Sequence, residues 1–139
     1  MNLPKELDAS RISQYWPPND GDSPYNLLHV PLDKQEENKG VAFIDFRSAQ
    51  GARGFWKRWN GQRLAGASKA LRVTASRIQG FDANVADLRR QRVVRLRKTR
   101  WPLLFDEAGK LSCFKRVLEE QHRIRVAAAI ARTAGATEH

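Results

Sequence analysis

The sequence of 139 residues predicts an α+β fold, a ferredoxin-like split βαβ arrangement with a four-stranded antiparallel sheet and additional C-terminal helices. Two observations predict it. Apolar residues alternate with period two in the segments 25–32, 41–46 and 71–78. Helical patterns over 8–16 and 48–59 separate the strands in the order of the split arrangement. Both helices are expected to cover one face of the sheet and to leave the other face open.

The first half of the chain begins with a strand stub that Pro4 ends. Asp8 is the expected N-cap of the first helix, because its side chain can accept hydrogen bonds from the free amides of the first turn. The second strand carries Pro31, which lacks an amide donor and places the strand end or a sheet edge there. Ser48 is the expected N-cap of the second helix, and Asn60-Gly61 resembles an αL cap at its end.

The second half of the chain is expected to form shorter and less regular helices and strands. Leu71 and Val73 alternate with polar residues and indicate a fourth strand that Gly80 ends. The expected elements that follow are a short helix capped by Asp82, a segment at 91–98 that fits either helix or extended chain, an apolar patch at 103–106, and a long helix over 112–134.

An octamer, Lys39-Gly40-Val41-Ala42-Phe43-Ile44-Asp45-Phe46, lies on the third predicted strand. It matches the RNA-recognition octamer at every position but the third, where Val41 replaces an aromatic residue. Alternation directs Lys39, Val41 and Phe43 to the open face. Phe43 is therefore expected to stack on an unpaired base and Lys39 to contact a phosphate, whereas Val41 offers apolar contact only. The alternative is a hydrophobic strand with one exposed phenylalanine.

The charge is strongly basic and unevenly distributed. Twenty-five basic and fifteen acidic side chains give a net charge of +10. Residues 1–38 hold three basic against seven acidic side chains and carry −4, so residues 39–139 carry +14. The densest basic stretch, 87–100, suits a polyanion, because each neutralised phosphate releases condensed counterions. The alternatives are a solvated basic face or a nuclear-import signal.

Other chemistry-bearing residues are isolated in the sequence. Cys113 is the only cysteine, the histidines lie far apart and the acids are scattered, so we expect no disulfide, no metal and no cofactor. No serine has the paired histidine and aspartate of a nucleophilic site, so an enzyme is not expected. The apolar runs are too short for a membrane span and no signal peptide is visible. We expect an intracellular protein, nuclear or cytoplasmic.

The chain resembles the RNA recognition motif family, and more narrowly the C-terminal motif of the Mei two-like meiosis regulators of fungi and plants. The matching stretches are Asn2-Leu3-Pro4, residues 28–33, residues 40–46, Phe55 with Trp59-Asn60-Gly61, and residues 73–80. Arg77-Ile78-Gln79-Gly80 is the most distinctive of them. The resemblance continues through Trp101-Pro102-Leu103-Leu104-Phe105-Asp106 and Gly109, so it spans residues 1–109.

The resemblance implies a non-catalytic protein that binds single-stranded RNA, with post-transcriptional roles in meiosis or development. It divides the chain into an RRM-like domain over 1–80, an extension with a basic helix over 81–109, and a C-terminal helix and tail over 110–139. In the family, further residues precede the counterpart of Asn2 and include a stacking position. We therefore expect a chain that is N-terminally incomplete, or a sheet with a truncated first strand.

The expected RNA-binding residues lie on three strands and in the basic segment. His29, on the strand beside Phe43, is expected either to contact a base or to take no part. Arg89, Arg90, Arg92 and Arg95 extend the basic path if their segment lies near the open face. The remaining candidates are Val41, Lys39, Arg72, Thr74, Ser76, Arg77 and Gln79. Trp16, Trp56 and Trp59 lie on helix faces and are assigned to the core.

A second function is compatible with the same sequence. The absent first-strand aromatic residue and Val41 both weaken a stacking surface. The chain would then be a protein–protein interaction module on an RRM-like fold with a degenerate RNA face. In that case the 112–134 helix would pair with a partner or with a second copy.

Overall fold

One antiparallel sheet organises the structure, a computed structural model that describes residues 3, 4, 6–19, 21–64, 67 and 69–123. Its strands are β1 (Tyr25–His29), β2 (Phe43–Phe46), β3 (Leu103–Phe105) and β4 (Leu111–Ser112), in the spatial order β2-β1-β3-β4. The helices are α1 (Ala9–Tyr15), α2 (Ala49–Trp59), α3 (Phe81–Arg90) and α4, which is described over 114–123. The predicted α+β class with an antiparallel sheet is confirmed.

Strand β1 lies inside the sheet because both of its edges are paired. It pairs with β2 along its length and with β3 at Leu27 and Leu28. A bulge between Tyr25 and Leu27 interrupts the alternation of side chains. Tyr25 therefore packs in the same hydrophobic cluster as Leu28, whereas Leu27 belongs to a second cluster on the opposite face.

Helices α1 and α2 cover the face of the sheet that carries Leu28, as the sequence predicts. Their side chains Ile12 and Phe55 are buried in the first cluster, and Ile44 of β2 packs against it. Both predicted N-caps are present. Asp8 Oδ1 accepts a hydrogen bond of 2.8 Å from the Arg11 amide, and Ser48 Oγ accepts one of 3.0 Å from the Gly51 amide.

Helices α3 and α4 cover the opposite face at β1 and β3. Leu27 is 1% exposed there because it packs in the second cluster. The partners of Leu27 in this cluster are Val85, Leu88, Val93, Leu104, Phe114 and Leu118. The expectation that this whole face is open is therefore wrong for β1 and β3. An apolar strand residue on each side of the sheet makes a second helix layer favourable, because an uncovered Leu27 would leave apolar area in water.

The predicted fourth strand is wrong. Residues 71–76 are outside the sheet, and Leu71 instead exchanges backbone hydrogen bonds with the end of α2. The Gly61 amide donates to the Leu71 carbonyl at 2.8 Å, and the Leu71 amide donates to the Gln62 carbonyl at 2.7 Å. Leu71 is still buried, at 5% exposed. The alternation therefore marks extended, half-buried chain without identifying its hydrogen-bond partner.

Two strands form beyond residue 80, where the sequence analysis expects an apolar patch and the start of a helix. The apolar patch at 103–106 forms β3, and β4 pairs with it through Leu104 and Phe105. The segment 91–98 is neither a regular helix nor a strand, because it contains the 3₁₀ turn Val93–Arg95. Residues on both sides of position 80 thus share one sheet, and the division of the chain at that position stays a prediction.

Two helix boundaries differ from the prediction. Gly80, not Asp82, is the N-cap of α3, and its φ of +95° lies in the region that favours glycine. Helix α4 begins at residue 114, two positions after the predicted start, and Gln121 ties it to α3 by donating to the Asp82 carbonyl at 3.2 Å. The predicted part of this helix over 124–134 lies outside the described residues.

Helix α2 offers a matched test of packing with two glycines. A Cβ at Gly54 would meet only Ser23 Oγ, at 3.8 Å, whereas a Cβ at Gly51 would lie 3.2 Å from Ser48 Oγ. Gly54→Ala is expected to stabilise the fold by about 0.5–1 kcal/mol, because alanine loses less backbone entropy in a helix.

Gly51→Ala is expected to give no such gain, because the hydroxyl that it crowds is the N-cap of the same helix. Thermal unfolding followed by circular dichroism compares the two variants. Equal stabilisation by both substitutions would contradict the packing described for Gly51.

Candidate nucleic-acid interface

Phe43 is the exposed aromatic residue of the sheet face that α3 and α4 only partly cover. Alternation along β2 directs Ile44 and Phe46 towards the first cluster and Phe43 to the other face. The ring is 40% exposed and lies directly opposite His29 of β1. The two rings have centroids 6.5 Å apart and planes 20° apart. They form a short platform at the β2 side of the sheet.

His29 is half-buried, and Asp87 of α3 lies close enough to influence its charge. Burial lowers the pKa of His29 to about 4, and the nearby carboxylate of Asp87 on α3 opposes that shift without cancelling it. Its Nδ1 atom is buried and has no hydrogen-bond partner in the described part of the chain. The imidazole is therefore neutral at pH 7 and presents an uncharged ring beside Phe43.

Asp45 lies on the same face of β2 and joins the platform to the start of α3. Burial raises the pKa of its carboxyl, and hydrogen bonds from the Gly80 backbone N–H and the Asn26 side chain lower it. The contact with Gly80 brings the predicted candidate Gln79 close to the platform. Asp45 is the single acid of the octamer, which is the one sign in the sequence that this position makes a polar contact. The sequence does not identify Gly80 or Asn26 as its partners.

A buried asparagine positions Lys39 at the start of the octamer. Asn38 is 2% exposed, and its Nδ2 donates to the Pro4 carbonyl at 2.7 Å and to the Leu7 carbonyl at 2.6 Å. Its Oδ1 accepts from the Gly40 amide at 2.8 Å, and Gly40 has a φ of +82°. Glycine is thus required at position 40 by its backbone conformation. Lys39 itself is exposed.

The candidates on the predicted fourth strand are not aligned with Phe43, because that strand does not form. Arg72 and Thr74 are exposed. Ser76 is half-buried, and its carbonyl accepts from Gln79 Nε2 at 2.6 Å. The expectation that these side chains face the platform from a neighbouring strand is therefore wrong. Their role in RNA binding, with that of the exposed Arg77 and the half-buried Val41, stays a prediction.

The basic segment divides into residues that hold the fold and residues that face solvent. The Arg100 guanidinium donates to the Leu32 carbonyl at 2.9 Å and to the Asp33 carbonyl at 2.7 Å, and its Nε lies 3.4 Å from a Glu36 carboxylate oxygen. Its side chain is only 23% exposed. Arg100 therefore fastens the 32–36 loop and is not available to a ligand.

Other basic side chains of this segment remain exposed to solvent. Arg90 pairs with Asp87 at 3.3 Å, but its side chain is 70% exposed. Arg92 and Arg95 are exposed and form no ion pair with a described residue, and Arg89 is half-buried. Helix α3 packs on the side of the sheet that carries His29 and Phe43, and the contribution of these arginines to a basic path stays a prediction.

No family model matches the chain, and no curated protein matches it in sequence. Among the described residues, no three histidine, cysteine, aspartate or glutamate side chains lie close enough together to hold a metal ion. No helix in that part of the chain is long and apolar enough to cross a membrane. Any assignment of function therefore depends on the geometry and chemistry of the platform.

The buried imidazole predicts a specific pH dependence of stability. The pKa of His29 in the folded protein is about 4, below the ordinary value of 6.5, so folding favours the neutral ring. The stability that this ring contributes is fully present above pH 6.5 and is lost as the pH falls towards 4. The expected slope from this group is at most about 1.4 kcal/mol per pH unit.

Urea unfolding of the wild type and of His29→Gln across this pH range measures the slope, because glutamine does not titrate. The variant is expected to show a flatter dependence than the wild type. An NMR titration that gave His29 a pKa of 6.5 or higher would contradict the burial described here.

Proposed function

We propose that this chain is a non-catalytic protein that binds single-stranded RNA through the Phe43–His29 platform and the adjacent basic residues of α3 and the following turn. The observation that carries the proposal is the Phe43 ring, which is 40% exposed on a sheet and stacked beside an uncharged imidazole. Large apolar rings are usually buried, so an exposed ring on the sheet of a strongly basic chain suits a nucleobase joined to phosphates.

We favour single-stranded RNA over a duplex as the ligand, because the platform has room only for a base that is not paired in a helix. Helix α3 covers β1 next to His29, so the accessible surface is limited to the Phe43 side of the sheet. A flat ring can stack only on a base that has been exposed by leaving a helix. Exposed Arg92 and Arg95 then supply attraction for phosphates that does not depend on sequence.

We also propose that the sheet is an RRM-like, ferredoxin-like arrangement to which the extension has added strands. Elements α1, β1, β2 and α2 follow in the order of the split motif, and both helices pack on one face. The Leu3 amide donates to the Gly40 carbonyl at 3.1 Å just before β2, and the edge of β2 away from β1 pairs with no other described strand. This is the side on which a first strand would pair. The resemblance to the RNA recognition motif supports the same arrangement.

Removing the Phe43 ring is the direct test of stacking. Phe43→Ala is expected to weaken binding to short mixed-sequence single-stranded RNA by about 1–3 kcal/mol, a roughly 5- to 150-fold rise in Kd. Fluorescence anisotropy at low salt measures the change, and Phe43→Tyr is expected to retain binding because it keeps the ring. Leu111→Ala is the control, because Leu111 is 64% exposed at the opposite edge of the sheet. Unchanged affinity of Phe43→Ala would exclude the stacking proposal.

Because the basic segment contains both exposed and fold-stabilising side chains, we expect different effects from substituting two of its arginines. Arg95→Gln is expected to reduce the slope of log K against log salt concentration by about 0.7 for a lost phosphate contact, with unchanged stability. Arg100→Gln is expected to cost about 2 kcal/mol of unfolding free energy, because two carbonyls and Glu36 lose a charged partner. Salt titrations of RNA binding and urea unfolding measure the two effects. A destabilised Arg95→Gln with an unaltered salt slope would show that this division is wrong.

A protein-binding module is the second candidate. Helix α3 covers part of β1 and so reduces the surface on which bases could stack, which favours this candidate. This function predicts no binding to mixed RNA at low salt. The same anisotropy titration therefore distinguishes the two candidates.

A further inference from the structure

A threonine hydroxyl and two guanidinium groups converge on one carboxylate at the surface of the basic segment. Thr99 Oγ1 donates to Glu36 Oε2 at 3.2 Å. The guanidinium groups of Arg97 and Arg100 lie 3.9 Å and 3.4 Å from the other oxygen of this carboxylate. Thr99 is exposed within a 3₁₀ turn. We propose that Thr99 is a phosphorylation site for an ATP-dependent kinase that prefers basic substrates, and that its phosphoryl group displaces Glu36 from the two arginines.

The sequence around Thr99 is basic on both sides of the hydroxyl. The basic residues within four positions of it are Arg95, Arg97, Lys98 and Arg100. Protein kinases distinguish their substrates by patterns of charge beside the acceptor. Acidic side chains in a kinase cleft form charge-assisted hydrogen bonds with arginines of the substrate, so this segment suits a kinase with an acidic cleft.

The backbone around Thr99 can open locally, as binding in a kinase cleft requires. Residues 95–99 are all exposed, and even the apolar Leu96 is 49% exposed. The Arg100 amide closes the turn by donating to the Arg97 carbonyl at 2.8 Å. Segments with few buried apolar contacts and solvent-exposed backbone hydrogen bonds open at low free energy. The acceptor hydroxyl is therefore accessible without unfolding of the two hydrophobic clusters.

The modification transfers the γ-phosphoryl group of ATP to Thr99 Oγ1. The bond between the γ-phosphorus and its bridging oxygen breaks, ADP leaves with the electron pair, and the hydroxyl proton passes to the carboxylate base of the kinase. The attached group carries about −1.5 to −2 charges at pH 7 and presents acceptor oxygens in place of a donor. The hydrogen bond to Glu36 is lost and two anions face each other. Because the phosphoryl group is fixed to the chain beside Arg97 and Arg100, it replaces the carboxylate as their partner.

Glu36 has a backbone conformation that depends on these contacts. Its φ of +63° lies in the left-handed region, which a residue other than glycine keeps only when its surroundings hold it there. Its amide donates to the Asp33 carbonyl at 3.1 Å, and the Glu37 amide donates to Asp33 Oδ1 at 3.1 Å. Displacement of the carboxylate therefore loosens the turn over 33–37, which leads directly into Asn38 and the octamer.

The first test treats the whole chain with Mg²⁺-ATP and a purified serine/threonine kinase that prefers arginine on both sides of the acceptor. Mass spectrometry of proteolytic peptides is expected to find a phosphoryl group on Thr99, and Thr99→Val is expected to lose it. Thr74 is the matched internal control, because it is exposed and Arg72 precedes it by two residues, but Ala75 follows it. Modification of Thr74 is expected to be at least about tenfold slower, because a lost charged contact has an effect of this size on a rate.

Two results of this experiment would overturn the assignment of the site. The first is modification of Thr74 as fast as that of Thr99. The second is the absence of modification at Thr99 in the whole chain, whether or not a synthetic peptide of residues 92–102 is modified. A modified peptide with an unmodified chain would show that the fold denies access to the hydroxyl, and two unmodified substrates would show that the sequence does not suit the kinase.

Amide hydrogen exchange measured by NMR tests the displacement of Glu36. Phosphorylation is expected to accelerate exchange of the Glu36 and Glu37 amides by at least about fivefold, because the turn opens more often, and to leave the Gly54 amide of α2 unchanged. In Glu36→Gln the phosphoryl group meets no carboxylate, so the acceleration at Glu37 is expected to be smaller. No acceleration in the wild type, or equal acceleration in the variant, would show that repulsion of Glu36 is not the effect of the modification.

The proposal does not rest on RNA binding, because both measurements are made without RNA. Phe43→Ala removes the ring of the platform and is expected to be phosphorylated at Thr99 like the wild type. Failure of this proposal is therefore distinguished from failure of RNA binding at the platform.

Discussion

The burial of two adjacent leucines on opposite sides of one strand is the constraint on which the rest of the structure depends. Leu27 and Leu28 are 1% and 0% exposed, and they belong to different hydrophobic clusters. Strand β1 can bury both only if helices cover both of its faces, and its polar backbone is satisfied because strands pair on both of its edges. The extension beyond residue 80 provides one helix layer and one of these edges. It is therefore an integral part of the fold.

The helices that cover β1 also determine which aromatic side chain of this face stays exposed to solvent. Helices α3 and α4 enclose Leu27 and reach His29, but Phe43 on the neighbouring strand keeps 40% of its surface in solvent. Burial also lowers the pKa of His29, so the ring beside Phe43 is uncharged at pH 7. The platform thus owes its position to the pairing of β1 with β2, and burial keeps its imidazole neutral well below pH 7.

Local signals in the sequence identified the elements whose partners lie nearby in the chain. Asp8 and Ser48 are caps whose donors are three residues away, and alternation over 43–46 placed Phe43 on the face opposite Ile44.

The predictions that failed involve partners that are distant in the chain. The alternation at 71–78 indicated extended chain, but Leu71 pairs with Gly61 and Gln62 instead of a strand. Strand β3 is too short to show periodicity, and it is defined by its pairing with β1 across more than seventy residues. For the same reason the sequence did not predict the burial of His29, which depends on the docking of α3.

The fold brings part of the acidic first segment of the chain against part of its basic stretch. Glu36, from the acidic first part of the chain, meets Arg100 at 3.4 Å and Arg97 at 3.9 Å, so part of the basic stretch is neutralised within the molecule. Arg92 and Arg95 follow the end of α3 directly, and their side chains stay exposed.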